Sequence, residues 1–204
     1  MRILAFSDMH GSARVARQIT EASAKADLVI GAGDFCNARQ GLNEAMQALS
    51  GIEAPLVLVP GNAESAGELA EAAPTGATVL HGAGVTVGKL TVFGLGYGIP
   101  ETPFGAWSCD MSEDEAAAML DHCDRADILV LHSPPKGLAD RTSRGESVGS
   151  TAIRDAIERV QPQLAVCGHV HDCWGVKGKI GATTVFNLGP RPNWFNLDRR
   201  RVNI

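Results

Sequence analysis

Arg2-Ile3-Leu4-Ala5-Phe6-Ser7-Asp8-Met9-His10 sets the pattern for the chain: a short apolar run that leads into a carboxylate and an imidazole. The device recurs. Leu28-Val29-Ile30 runs into Asp34, and Leu56-Val57-Leu58-Val59 into Asn62. Ile128-Leu129-Val130-Leu131 runs into His132, and Leu164-Ala165-Val166 into His169 and His171. Short apolar runs bounded by turn residues read as strands of a sheet covered on both faces. In open α/β sheets, ligands gather at the carboxyl ends of the strands. Oxygen and nitrogen donors at five such ends therefore predict one site, assembled from across the chain.

The segments between these runs alternate with them in the manner of βαβ units. Ser12 is placed to cap a helix reaching about Lys25, Leu42–Leu49 reads as a helix before Gly51, and a short Ala/Glu-rich helix stops before Pro74. The middle changes character. Val85-Thr86-Val87 and Leu90-Thr91-Val92-Phe93 flank Gly88-Lys89, a spacing with glycine first that suits a type II′ hairpin. Residues 94 to 110 form a loop rich in Gly, Pro and aromatics, including Tyr97, Phe104 and Trp107. Ser112 and Glu115 make a capping box for a helix to about Asp124. A last helix over residues 150–160 puts Ile153, Ile157 and Val160 on one face, and β-like segments follow around 176–180 and 183–188. The Gly94-x-Gly96-x-Gly98 run is a loop and not a dinucleotide fingerprint, because Pro100 and Pro103 stand where a helix should begin.

A length of 204 residues fits one domain, residues 1–204, with a full hydrophobic core. A net charge of −5 supplies no dominant basic field, which argues against a nucleic-acid or membrane-surface binder. The Arg199-Arg200-Arg201 tail is too short to count as a nucleic-acid arm. An anionic substrate stays open, since bound divalent cations make a pocket positive whatever the global balance. Five widely spaced cysteines without a C-x-x-C pair fit reduced thiols in a cytosolic protein. The N-terminus starts directly with a strand-like run and lacks the pattern of a signal peptide, and no apolar run approaches the ~18 residues of a membrane span. The expectation is a soluble, cytoplasmic protein.

The donor set has its own chemistry. Gly33, Gly61 and Gly168 precede Asp34, Asn62 and His169, and glycine lets the backbone turn sharply so that the next side chain comes back over the sheet edge. Carboxylate, amide and imidazole donors with no thiolate suit Mn²⁺, with Fe or Zn²⁺ as alternatives, better than soft copper. A catalytic zinc takes three protein ligands and water. This set is larger, and two metals sharing a carboxylate would use all of it.

In order and spacing, Asp8-x-His10, Gly33-Asp34, Gly61-Asn62, His132 and Gly168-His169-x-His171 resemble the five blocks of the calcineurin-like metallophosphoesterases. The resemblance runs from the first strand to about Gly189. His132-Ser133-Pro134-Pro135-Lys136-Gly137 and Asn187-Leu188-Gly189-Pro190 look like the small prokaryotic branch labelled Icc-related phosphohydrolases. The resemblance implies an α/β fold, a four-layer α/β/β/α sandwich. It implies two divalent metal ions per chain, the first held by Asp8, His10, Asp34 and His171, the second by Asp34 (bridging), Asn62, His132 and His169. Among these it makes Asp34, Asn62 and His132 catalytic. The implied reaction is in-line attack on phosphorus by a metal-bridging hydroxide, with the protein supplying position and charge. The implied substrate is a small phosphoester or nucleotide-type molecule; physiological substrate, native metal and oligomeric state stay open.

One departure matters. Many members carry a histidine after Gly-Asn, thought to protonate the leaving group, where this chain has Ala63. General acid help is worth ~10²–10⁴ in rate, so poor leaving groups should suffer most. Some members with a small residue there favour phosphodiesters, and the resemblance leans to a phosphodiesterase. The alternatives are a phosphomonoesterase or protein phosphatase and, in another class, an interaction scaffold of the kind the retromer subunit of this fold provides. Ligand completeness separates the scaffold from the enzymes, and no ligand is missing here. Glu64 is the nearby acid that would replace the histidine; its other reading is an exposed glutamate in the first turn of a helix. His81 and His122 read as strand-end or surface histidines, and Cys36 as a buried spectator thiol. Lys136, Arg141 and Arg144 are solvated loop charges or phosphate-steering groups, and Tyr97 and Trp107 pack the loop or stack on a nucleobase.

Overall fold

A computed structural model of the chain describes residues 1–198. Three βα units come first: β1 (Arg2–Phe6), α1 (Ala13–Ser23), β2 (Leu28–Ala32), α2 (Leu42–Ala48), β3 (Leu56–Val59) and α3 (Ala66–Ala72). Then follow β4 (Thr78–Val79), the hairpin β5 (Ala83–Val87) and β6 (Leu90–Leu95), α4 (Glu113–Leu120) and β7 (Ile128–Leu131). The chain continues through α5 (Thr151–Val160), β8 (Leu164–Cys167), a 3-10 turn at His171–Cys173, β9 (Lys177–Ile180), β10 (Thr183–Asn187) and β11 (Asn193–Asn196).

The strands form two sheets, ordered β11-β1-β2-β3-β4 and β5-β6-β7-β8-β10-β9. Within the first, β1 through β4 run parallel and β11 closes antiparallel on β1. Within the second, β6, β7, β8 and β10 run parallel, with β5 and β9 as antiparallel edges. Alternation of side chains decides the layers. Ile3, Ala5, Ile30, Val57 and Val59 face Val92, Ile128, Val130, Leu164 and Val166 across the gap between the sheets. Leu4, Phe6, Val29 and Leu58 point the other way, onto Val15, Ile19, Met46, Leu49 and Leu69 of the first three helices and the residues next to them. Leu129, Leu131 and Ala165 likewise meet Leu120, Ile153 and Ile157 of α4 and α5. The result is the expected four-layer α/β/β/α sandwich.

Local chemistry starts each element. Ser12 caps α1 by accepting from the Val15 N–H, and the Ser112–Glu115 capping box opens α4. Gly88 turns the β5–β6 hairpin at φ +59°. The short strands β4 and β11 are additions to the elements expected from sequence. Helix α1 ends at Ser23, short of Lys25. Among the described residues, no helix is long and apolar enough to cross a membrane. The Arg199-Arg200-Arg201 tail lies outside the described residues.

Candidate metal centre

The parallel strands of both sheets put their carboxyl ends on one edge, and every predicted donor sits just past one of them. Asp8 and His10 follow β1, Asp34 follows β2, Asn62 follows β3, His132 follows β7, and His169 and His171 follow β8. The loops are drawn together by backbone bonds that continue the strand pairing: Asp8 N–H to Gly33 O at 2.9 Å, His10 N–H to Asp34 O at 3.0 Å and Gly168 N–H to His132 O at 2.9 Å.

The sharp turns are made by the predicted ligands themselves. Asp8, His10, Asp34 and His169 have φ of +52°, +46°, +56° and +66°. Asp and His adopt this left-handed region more readily than most residues, but at a cost. Gly33 also turns, at φ +89°. Gly61 and Gly168 differ from the expectation: neither is left-handed, and both are glycine for space. A Cβ at Gly61 would collide with the Asp34 carboxylate, and one at Gly168 would stand 2.5 Å from Asp8 Oδ2.

Ligand atoms of Asp8, His10, Asp34 and His171 all lie within 4.8 Å of one another, the set that the family resemblance assigns to a first metal. Nε2 of His10 and Nε2 of His171 are 3.1 Å apart. Around the other side of Asp34, His132 Nε2 is 3.4 Å from Asp34 Oδ1 and 3.1 Å from Asn62 Oδ1. His169 Nδ1 is 2.9 Å from the same amide oxygen. All the predicted ligands are therefore brought together, with Asp34 between the two groups.

Hydrogen bonds outside the cluster orient its side chains. Nδ1 of His132 lies 2.9 Å from Ala32 O, and Nδ1 of His10 lies 3.2 Å from Cys36 O. A carbonyl only accepts, so both rings carry a proton on Nδ1 and aim Nε2 inward. Asn62 donates through Nδ2 to Ser108 Oγ at 3.0 Å, which turns Oδ1 inward as well. His132 Nε2 and Asn62 Oδ1 are thus aimed at the same space, 3.1 Å apart. The donor set fits divalent metal. Orienting ligand side chains through outward hydrogen bonds in this way is the ordinary support of a metal site.

Charge follows burial. Burial opposes charge on His132, yet Asp34 and Asp8 hold its pKa above the usual histidine value. Burial also works against the Asp34 carboxylate, but His132, the Ala63 N–H and His10 bring it below the usual range. His169 is pushed down to about 3 by burial and by His132, so its ring is neutral and available as a donor. Asp8 is fixed at both oxygens. Oδ2 accepts from Ser7 Oγ and from the Trp174 indole N–H at 3.0 Å, and Oδ1 accepts the His169 N–H at 2.9 Å.

Glu64 corrects both sequence readings. It is fully buried, not exposed, and it does not face the site as an acid. Its Oε1 accepts from Gly61 N–H at 2.7 Å and Asp34 N–H at 2.8 Å; Oε2 accepts from Phe35 N–H at 3.1 Å and Cys36 N–H at 3.4 Å. Burial and the Asp34 charge push it up to about 7, against the pull of these N–H groups. Glu64 ties the loop of Asp34 to the loop of Asn62. Ala63 is buried too; its N–H donates to Asp34 Oδ1 at 2.8 Å.

The remaining candidates sort cleanly. Cys36 is a buried thiol that donates to Ala63 O, its pKa pushed up by burial and by Glu64. His81 accepts from Gly96 N–H, and Tyr97 packs on it at 4.2 Å between ring centroids, away from the metal ligands. His122 is exposed. Arg141 bonds Gly145 O, whereas Lys136 lines the cleft over the ligands. Sequence reasoning missed Ser7, Ser108 and Trp174, whose roles depend on contacts between distant loops.

A family model described as the calcineurin-like phosphoesterase superfamily domain matches residues 1–199. The chain belongs to that superfamily. Human metallophosphoesterase domain-containing protein 1 is 33% identical over 105 residues, 48% of this chain and 32% of that protein. The matched part spans a third or so of the length of the curated relatives. The TT1561 structure from Thermus thermophilus superposes with a TM-score of 0.73 at 16% identity, covering 96% of this chain and 98% of that one. A dimetal phosphatase from Danio rerio gives 0.63 at 13% identity, covering 93% and 88%. These likenesses show the fold. The superfamily and the donor cluster together support a metal-dependent phosphohydrolase.

Proposed function

We propose that the protein hydrolyses phosphodiesters with two divalent metal ions, manganese first among the candidates. Asp8, His10, Asp34 and His171 would hold one ion, and Asp34, Asn62, His132 and His169 the other. The observation that carries this reading is the position of Asp34, its Oδ2 3.7 Å from His10 Nε2 and its Oδ1 3.4 Å from His132 Nε2. When bound, such a pair supplies positive charge to phosphoryl oxygens and acidifies water.

The chain's own residues account for the preference. His169 and His171, both lowered in pKa by burial, are neutral donors and not proton sources near neutral pH. Ala63 donates no side-chain proton, and Glu64 is turned into the backbone. A diester with an acidic leaving group needs the least proton donation. Lys136, its Nζ held by Ser147 O at 2.6 Å, adds a positive charge to the cleft wall. Five free thiols support a reducing, cytoplasmic setting. The complete ligand set argues against a scaffold role.

Elemental analysis after Mn²⁺ loading should give two metal equivalents per chain, and hydrolysis of aryl diesters should fall steeply as the leaving alcohol becomes less acidic. One equivalent or none at saturation defeats the dinuclear reading. A preference for alkyl monoesters over activated diesters replaces the phosphodiesterase with a phosphomonoesterase.

A further inference from the structure

Among the described residues, the exposed large apolar side chains are Phe104, Trp107, Val148, Val176 and Trp194. Scattered exposure of this kind needs no explanation. Here Phe104, Trp107 and Val148 line one cleft of 740 Å³, and its floor is formed by metal-centre residues including Asp34, Asn62 and His169. Trp194 lies elsewhere, its ring covered by the Arg2 guanidinium at 4.2 Å.

Phe104 and Trp107 are parallel to within 6°, their centroids 5.7 Å apart. Phe104 is 50% exposed and Trp107 37%. The Phe104 ring meets the His169 ring at 6.4 Å, so the aromatic pair begins where the ligand set ends. The loop that carries it is anchored. Asp110 accepts from Thr102 N–H at 2.9 Å and from Ser108 Oγ at 2.8 Å. Ser108 Oγ also accepts from Asn62 Nδ2, and Cys109 N–H donates to Asn62 O at 2.9 Å. A metal-site residue and the aromatic wall are thus held in one hydrogen-bonded unit.

We infer that Phe104 and Trp107 form the specificity-determining wall for one ester arm of the substrate, and that this arm carries a flat aryl or heteroaryl ring, as a nucleoside does. The inference rests on the phosphoesterase reading of the metal centre. An exposed aromatic face beside an anion-binding floor suits a molecule with a ring at one end and a phosphate at the other. An alkyl arm would use the wall's area but not its faces. Stacking of one base on an aromatic side chain changes affinity by roughly 5- to 150-fold.

The test compares two diesters with the same leaving group, thymidine 5′-(p-nitrophenyl) phosphate and methyl p-nitrophenyl phosphate, on the manganese-loaded protein. Wild type should favour the thymidine ester in kcat/KM. The Phe104→Ala/Trp107→Ala double variant should reduce that ratio about 5- to 150-fold through KM, with Trp107→Phe restoring much of it. Calorimetry supplies a readout without turnover: adenosine monophosphate should bind wild type more tightly than inorganic phosphate does, and the double variant should lose the difference. An unchanged kcat/KM ratio together with an unchanged binding difference overturns the inference and leaves the phosphodiesterase reading intact. Failure of wild type to cleave either diester, with Trp107-dependent binding of the monophosphate retained, upholds the wall and removes the phosphodiesterase reading.

Discussion

Glu64→Ala should destabilise the fold and strip the metal centre together, because the carboxylate is a clasp and not a proton donor. Three backbone N–H groups reach it at 3.1 Å or less, from Gly61, Asp34 and Phe35. A buried donor left without a partner costs ~1–3 kcal/mol, so three give roughly 3–9 kcal/mol. Water entering the space left by the side chain should offset part of that, which puts the expected loss at about 3–4 kcal/mol. For a chain of this size that lowers Tm by roughly 6–16 °C. Glu64→Gln is the sharper variant. One amide oxygen still accepts from Gly61 and Asp34, but the amide NH₂ is set against the Phe35 and Cys36 N–H groups. About 2 kcal/mol should be lost.

Thermal melts of the metal-free variants and elemental analysis after manganese loading measure the two effects side by side. Both variants should melt lower and hold less metal at a given free concentration, because the Asp34 and Asn62 loops are no longer tied. Suppose instead that Glu64→Gln keeps wild-type Tm and metal content and loses only kcat, most for poor leaving groups. Then Glu64 delivers a proton, and the clasp account is wrong.

Asp34→Asn should separate what Glu64 joins: its Oδ1 still accepts the Ala63 N–H, so the metal-free fold should melt near wild type while elemental analysis finds fewer than two ions and turnover is lost. Acid titration should expose the Arg39–Glu68 pair, in which Arg39, with the Ser65 N–H and hydroxyl, holds the Glu68 carboxyl down at about 2 against an ordinary 4.5. A lowered carboxyl stabilises fully above its unfolded value and stops doing so as pH falls from 4.5 towards 2. Both side chains are partly exposed, so the amount is under ~1 kcal/mol; Arg39→Gln should shrink that acid-dependent part of the melting curve to the share held by Ser65, and an identical pH profile would discount the pair.

The strands that build the site were legible because burial on both faces leaves continuous apolar runs, as in Leu56–Val59 and Ile128–Leu131. The capping box at Ser112 and the hairpin at Gly88 were legible because their chemistry is local. Strand β11 was not: its polar and aromatic residues pair because β1 offers a free edge, a fact about a segment nearly the whole chain away. Glu64 misled for the same reason. Between Ala63 and Ser65 it resembles any glutamate at a helix start, and only the approach of the Asp34 loop makes it a buried acceptor. Tyr97 and Phe104 lie on one loop, and nothing local says that the first packs on His81 while the second faces the cleft.

The left-handed ligands and the unforeseen acceptors are two sides of one device. Left-handed φ at Asp34 turns the chain out of its strand, and the N–H groups of Asp34, Phe35 and Cys36 are turned to Glu64 instead of a neighbouring strand. Left-handed φ at His169 does the same for its own N–H, which Asp8 accepts. Strained positions cost ~1–3 kcal/mol each and persist only where the surroundings over-determine them. Buried N–H groups, for their part, must find an acceptor. The two carboxylates meet both demands: Glu64 clasps the turn that carries Asp34, and Asp8, itself a donor, fixes the turn that carries His169. A glycine could relax any of those turns but would take away a side chain of the proposed metal centre, so the strain sits in the residues proposed to bind.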